Sequence, residues 1–290
     1  MDLVEWITRP EGLRDPVLVC AFRGWNDAGE SATAALAVLV GSLGAAHVAT
    51  VPGEEIYDYQ ATRPTVSIDH GELRGIEWPD VEVWAARPEG APRDLLLVAG
   101  AEPSYRWRTF CRSILDAAEG LGVRRVVTLG ALLADVPHTR PTRLGGLAAP
   151  ASLIEGKGYR PPTYEGPTGI VGVLHGLASE RGLEAASVWA SVPHYLGALR
   201  SAPCALALVR ATEGLTGVAV DASELEQAVG EYETQVTSAV ERDSALQQLV
   251  TRLEQEVDRM PLGEDHGDLP TGDALARDFE RYLRQREEPS

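Results

Sequence analysis

Polar side chains able to do chemistry gather at a few points of this sequence, most densely at Arg23-Gly24-Trp25-Asn26-Asp27-Ala28-Gly29-Glu30. The apolar run Val17-Leu18-Val19-Cys20-Ala21-Phe22 precedes them and an alanine-rich segment follows, which places them on a turn between a buried strand and a helix. Such turns, at the carboxyl ends of strands in an open α/β sheet, are where ligand sites form. Asp27 and Glu30 also fit a plainer task, capping the helix amides and answering its dipole. Capping does not require Arg23, Trp25 or Asn26. A tryptophan here can wall a pocket while Asn26 and nearby amides bind a polar ligand group. The turn is no Walker loop, lacking Gly-Lys-Ser/Thr, and its glycines are wrongly placed for a dinucleotide fingerprint.

Other strand ends carry comparable residues. Gly100-Ala101-Glu102-Pro103 offers Glu102 as a general base or an arginine partner, or as a cap-like acid before a helix whose first turn accepts Pro103. Asp135-Val136-Pro137-His138-Thr139-Arg140-Pro141 places an acid, an imidazole and a guanidinium close together, a set that can hold a carboxylate or phosphate or can point apart into solvent. Tyr164-Glu165-Gly166-Pro167-Thr168-Gly169 enters a helix with Thr168 as a candidate cap, and Ser191-Val192-Pro193-His194-Tyr195 closes a further strand. His194 alone reads as a hydrogen-bonded structural residue more readily than as a catalyst. Arg23, Trp25, Asn26, Asp27, Glu102, His138, Arg140, Glu165 and His194 therefore form a hypothetical ligand-binding set along one sheet edge, with no catalytic residue assigned. There is no G-x-S-x-G elbow. The six histidines show no metal-ligand spacing and no Cys-x-x-Cys occurs, so neither a metal nor a cofactor is expected. Cys20, Cys111 and Cys204, odd in number and far apart, read as buried free thiols of a reducing cytoplasm.

The elements that must position these groups alternate. Strands are expected at residues 17–22, 47–51, 65–68, 81–86, 94–99, 124–130 and 185–192, and helices at 28–43, 104–121 and 169–181. Strand–helix–strand order with near-continuous apolar strands predicts an α/β fold with a mostly parallel sheet. Residues 137–168, rich in Pro, Gly and Thr, read as a long functional loop or a surface insert. From Asp221 the character changes: Ser223-Glu224-Leu225-Glu226 fits a capping box. Leu225, Val229, Tyr232, Val236 and Val240, then Leu246, Leu249, Leu253 and Val257, form amphipathic stripes broken near Asp243. An acidic linker at 261–270 and a last helix at 274–284 complete the tail. The expected organisation is a core at 1–220 with a helical extension at 221–290.

At 290 residues with 44% hydrophobic content the chain can bury a sizeable core. A formal charge of −17 opposes nucleic-acid phosphates and anionic membrane surfaces. No apolar run reaches the roughly 20 residues of a spanning helix, and the acidic start Met1-Asp2-Leu3-Val4-Glu5-Trp6 lacks signal-peptide order.

Several of these segments together resemble the proteasome assembly chaperone family, in a bacterial, actinobacterial-looking branch related to the chaperone 2 subunit. F-R-G-W-N-D-A-G-E from Phe22, G-A-E-P-x-x-R-W from Gly100, D-V-P-H-T-R-P from Asp135, Y-E-G-P-T-G-I from Tyr164 and V-P-H-Y from Val192 carry the resemblance. It implies a three-layer sandwich similar to purine nucleoside phosphorylase-like folds, and homo-oligomers such as trimers. In eukaryotic and archaeal members it implies binding to proteasome α-subunits; for the bacterial branch it implies no established activity. Docking members end in a hydrophobic residue, a tyrosine and one more residue. This sequence ends Arg286-Glu287-Glu288-Pro289-Ser290, so insertion of its terminus into an α-ring pocket is not implied. The leading expectation is a non-catalytic binding or assembly protein whose partners are itself and proteasome subunits or another protein. The alternative is a small-molecule enzyme or binder for a nucleoside-like or anionic compound, and pure oligomeric scaffolding is a third reading.

Overall fold

The structure, a computed structural model, describes residues 2–259; the expected linker at 261–270 and helix at 274–284 lie outside them. Ten strands are present among the described residues: β1 (Glu5–Trp6), β2 (Val17–Arg23), β3 (Ala46–Val51), β4 (Thr65–Asp69), β5 (Glu72–Glu77), β6 (Val81–Ala86), β7 (Leu95–Ala101), β8 (Arg125–Ala134), β9 (Leu144–Ala149) and β10 (Glu184–Pro193). Six α-helices accompany them: α1 (Ser31–Ser42), α2 (Trp107–Glu119), α3 (Ile170–Glu180), α4 (Ala202–Thr216), α5 (Ser223–Val240) and α6 (Ser244–Arg259). Eight strands form one sheet in the order β1-β3-β6-β7-β2-β8-β10-β9.

The sheet is mixed, which corrects the expectation of a mostly parallel one. Its centre, β7-β2-β8-β10, is parallel, while β1, β3 and β6 on one side and β9 on the other pair antiparallel. The parallel centre is where the sequence is continuously apolar: residues 17–22 of β2 and 95–98 of β7 are buried. Both sheet faces are covered. On one, Phe110, Ile114 and Leu115 of α2 and Ile170, Leu174 and Ala178 of α3 pack with Leu18, Cys20 and Phe22. On the other, Ala32, Leu36 and Leu39 of α1 and Cys204, Leu208 and Val209 of α4 pack with Val17, Val19 and Ala21. Odd and even residues of one strand thus serve two cores, as a pleated strand requires.

Some elements differ from expectation. Helix α1 starts at Ser31, not 28, because Gly29 and Glu30 take left-handed φ values of 58° and 49°. Helix α2 starts at Trp107, past Pro103, since Arg106 is also left-handed at φ 58°. The 137–168 segment contains strand β9, whose Leu-Gly-Gly-Leu-Ala-Ala sequence lacks the β-branched residues that mark strands. Strand β5 is masked by charge, and α4 carries no clear polar stripe. The capping box at Ser223 does not form. Instead Asp221 Oδ1 accepts the Ser223 amide at 3.0 Å. After the tail break, Asp243 Oδ1 accepts the amides of Ala245 and Leu246 at 2.8 and 3.2 Å.

Strands β4 and β5 stand apart as a two-stranded ribbon inserted between β3 and β6. Its turn, His70-Gly71, has φ of 51° and 83°, the double positive φ of a type I′ hairpin.

Candidate functional site

Because β7, β2, β8 and β10 run parallel, their carboxyl ends lie on one edge, and Glu102, Trp25–Asp27, Asp135–Arg140 and His194 all follow those ends. They do not form one cluster there. Bonds group them into two clasps.

The first clasp joins β2, β7 and α3. Glu102 Oε1 accepts from Asn26 Nδ2 and from the Ile170 amide, both at 2.7 Å. The carboxylate therefore sits at the N-terminus of α3, where unpaired amides and the helix dipole favour negative charge. The cap position of α3 falls on Gly169 and not on the expected Thr168. Asn26 is fully buried, and its carbonyl oxygen accepts the Ala131 amide of β8 at 2.8 Å. The Glu102 amide donates to the Arg23 carbonyl at 2.8 Å. Gly24 permits this crossing, since its φ of 130° excludes other residues and a Cβ there would meet Glu102 Cβ at 3.4 Å. Gly169 is equally specified: an added Cβ would lie 2.1 Å from Asn26 Oδ1. These two contacts explain why G-W-N-D-A-G, G-A-E-P and Y-E-G-P-T-G occur in one chain. Asn26 Oδ1 is buried and accepts no hydrogen bond.

Asp27 performs the capping task. Its Oδ1 accepts the amides of Ala32 and Thr33 at 2.7 and 3.2 Å, and its Oδ2 accepts the Thr33 hydroxyl. Burial pushes its carboxyl up from the ordinary value near 3.8, against these bonds. Glu30 pairs with Arg200 at 2.7 Å. Arg23 and Glu165 are exposed and Trp25 is half-buried.

The second clasp joins the β8 and β10 ends to the helical tail. The Tyr195 hydroxyl accepts the His138 amide at 2.9 Å and lies 2.8 Å from His138 Nδ1. Burial pushes the His138 imidazole below its ordinary range, against the pull of Glu254 and Glu233. Burial likewise raises the Tyr195 phenol to about 12. His194 Nδ1 lies 3.0 Å from Asp135 Oδ1. Arg140 is engaged by α6: Nε and Nη2 donate to the two Asp258 oxygens at 2.9 and 2.7 Å, and Nη1 to Glu254 at 3.2 Å. The hydrogen bond from Arg140 holds the Asp258 carboxyl below its usual range. The fork-to-carboxylate fit expected for an anionic ligand is thus met by the chain's own tail. Tyr195 was missed as a site residue, although it stands next to His194 in the sequence; nothing local to Arg140 announces Asp258.

The Arg140–Asp258 pair is surface-exposed, so its loss should be felt locally. In Arg140→Ala, amide hydrogen exchange of α6 is expected to accelerate by several-fold while β2, β7 and β8 keep their protection. Asp258→Asn should reproduce the effect; unchanged exchange in α6 would show that its apolar stripe alone holds it.

Beside this clasp lies a cavity of about 430 Å³, lined among others by His138, Arg140, Arg143, Cys204, Tyr232 and Glu233. Of the nine expected ligand residues only His138 and Arg140 line it. Cys20, Cys111 and Cys204 are buried free thiols, as expected, and burial raises each, Cys111 to about 12. That is the reverse of nucleophile activation. Among the described residues no cluster of His, Cys, Asp and Glu fits a metal, and no helix is long and apolar enough to cross a membrane.

A mixed α/β sheet with helices on both faces, its carboxyl edge locked by side-chain clasps and extended by two C-terminal helices, defines the class of protein. The chain belongs to the PAC2 family, whose profile matches residues 21–240. A PAC2 family protein from Streptomyces avermitilis is 41% identical with a TM-score of 0.75, covering 81% of this chain and 100% of that one. A proteasome-assembly chaperone homologue from Mycobacterium tuberculosis is 39% identical, also with a TM-score of 0.75, over 81% of this chain and 99% of that one. An archaeal proteasome activator from Pyrococcus furiosus shares the fold at a TM-score of 0.64 and 20% identity, over 82% and 99% of the two chains. No curated protein matches the sequence significantly.

Proposed function

We propose that this chain is a non-catalytic binding protein of the proteasome-assembly type, acting as a homo-oligomer on proteasome subunits or another protein. The observation that carries this reading is the state of the sheet edge: Asn26, Asp27, Glu102, His138 and Arg140 each bond another part of the same chain. A general acid or base needs a substrate proton within hydrogen-bond reach. Groups that lock adjoining corners instead make a firm surface for a partner. The descriptions of relatives as a proteasome-assembly chaperone homologue and an archaeal proteasome activator support the same direction. The buried reduced thiols fit a cytoplasmic setting. In this reading the core of 1–220 supplies the firm surface and the extension of 221–290 adds contacts. Affinity capture with the tagged chain is expected to recover proteasome subunits in near-stoichiometric amount; recovery of no protein partner at all from an extract containing them would overturn the reading.

The cavity near Arg140 favours a second reading, a binder or enzyme for a nucleoside-like or anionic compound, which a three-layer phosphorylase-like fold would accommodate. Its volume lies within the roughly 300–1,000 Å³ of ligand pockets. Thermal-shift screening with nucleosides, nucleotides and inorganic phosphate tests it, because a ligand of the folded state raises the melting temperature. A rise abolished by Arg140→Ala would support this reading; no rise with any class would remove it.

A further inference from the structure

The cavity beside the second clasp is built from two parts of the chain. Ser191 and Ser201 stand at the end of β10 and the start of α4, Thr142 and Arg143 just before β9, and Tyr232 and Thr237 on α5. The core and the helical tail therefore each supply a wall. Helix α5 buries only Val236 and Val240 of its 18 residues, so a molecule held between the walls would strengthen a thin contact.

Polar groups on both walls favour such a molecule. The Tyr232 hydroxyl is shut off from solvent, faces Ser201 and completes no hydrogen bond. A buried hydroxyl in that state costs stability until a partner in the cavity bonds it. Ser201 is 3% exposed and sits at the cap position of α4, yet its side chain makes no capping bond. The cations define the charge that suits the cavity. Arg140 and Arg143 line it, and Arg160 is set beside them by its amide, which donates to the Leu144 carbonyl at 3.0 Å. Burial works against the Arg143 cation, with Asp258 offsetting it; burial and the charge of Arg143 both work against Arg160. Guanidinia stay protonated, so an added anion relieves their crowding. The lining carboxylate, Glu233, acts on the His138 imidazole, which it pulls upward.

The remaining lining narrows the ligand class. Thr142, Ser191, Ser201, Tyr232 and Thr237 carry hydroxyls that donate and accept, as those of a sugar do. Among the described lining residues there is no Asn, Gln or Asp to read the edge of a nucleobase.

We infer that this cavity binds a small phosphorylated sugar, its phosphate on Arg143 and its hydroxyls on Ser201 and Tyr232, and that the bound sugar clamps α5 to the core. The inference rests on the binding form of the small-molecule reading and adds to it the ligand class and the effect on the tail. A ligand that touches both walls favours their docking, and docking favours the ligand by the same factor. The contacts that the tail offers a partner are thereby regulated.

Calorimetric titration of the full chain with ribose 5-phosphate, ribose and inorganic phosphate tests this, together with amide hydrogen exchange of α5. Ribose 5-phosphate is expected to bind saturably and more tightly than either fragment, and to slow exchange in α5 several-fold while β2, β7 and β8 stay unchanged. Tyr232→Phe keeps the ring and its packing, so it should melt as the unaltered chain does and bind about tenfold more weakly. Thr237→Val, on the same wall, replaces it if the phenylalanine variant misfolds. Equal affinity for phosphate alone, binding indifferent to Tyr232→Phe, or unchanged exchange in α5 would each overturn the inference. A response to nucleosides alone would overturn it and leave the small-molecule reading standing, whereas silence of every compound would remove both.

Discussion

Glu102→Ala is expected to destabilise the protein by roughly 2–4 kcal/mol, because it strands two buried donors at once. The Asn26 amide and the Ile170 N–H both point at the same carboxylate oxygen at 2.7 Å. Asn26 has no access to water that could replace the bond. The loss also removes negative charge from the start of α3, which the helix dipole favours. Glu102→Gln keeps one acceptor oxygen and the side-chain volume, so it should lose less than half as much. Urea unfolding of the three proteins checks this. An alanine variant within about 0.5 kcal/mol of the unaltered chain would mean that the carboxylate is free for other work, as the enzyme reading requires.

Gly169→Ala should also be severe, and for a purely steric reason. The Gly169 φ of −90° suits any residue, so no backbone strain arises. The methyl group, however, would enter at 2.1 Å from Asn26 Oδ1. Overpacking of this kind costs roughly 1–3 kcal/mol, and more where neighbours are fixed. Asn26 is fixed, by Glu102 through its side chain and by Ala131 through its backbone. Gly176 in the same helix is the control. A Cβ there meets nothing within 4 Å, so Gly176→Ala should stabilise by about 0.5–1 kcal/mol through helix propensity. Equal behaviour of the two alanine variants in thermal melts would refute the close contact.

The central strands were legible from sequence because burial on both faces leaves continuous apolar runs such as Leu95-Leu96-Leu97-Val98. The tail stripes were legible from their spacing, and of the expected residues Val236, Val240 and Leu253 are buried; Val250, outside the expected stripe, is buried in place of its neighbour Leu249, which is half-buried. Strand β9 was not, since its identity comes from pairing with β10 rather than from its own glycines and alanines. The placement of polar corners on one sheet edge followed from the parallel order of four strands. What they bond to did not follow. Asn26 meets Gly169 and Arg140 meets Asp258 across more than 100 residues, and no local propensity encodes such distances. The ribbon was half visible: β4 was expected, but its partner β5, Glu-Leu-Arg-Gly-Ile-Glu, carried no expectation, because its strand identity comes from pairing across the His70-Gly71 turn.

The proposed role as a partner-binding rather than substrate-converting protein meets its most direct test in calorimetric titration of the purified chain with isolated proteasome α-subunits. Saturable binding, retained in Arg140→Ala because its guanidinium serves the tail, is the predicted result. A flat titration, together with a melting temperature raised by a nucleoside or phosphate, would contradict the account and pass the sheet edge to small-molecule chemistry.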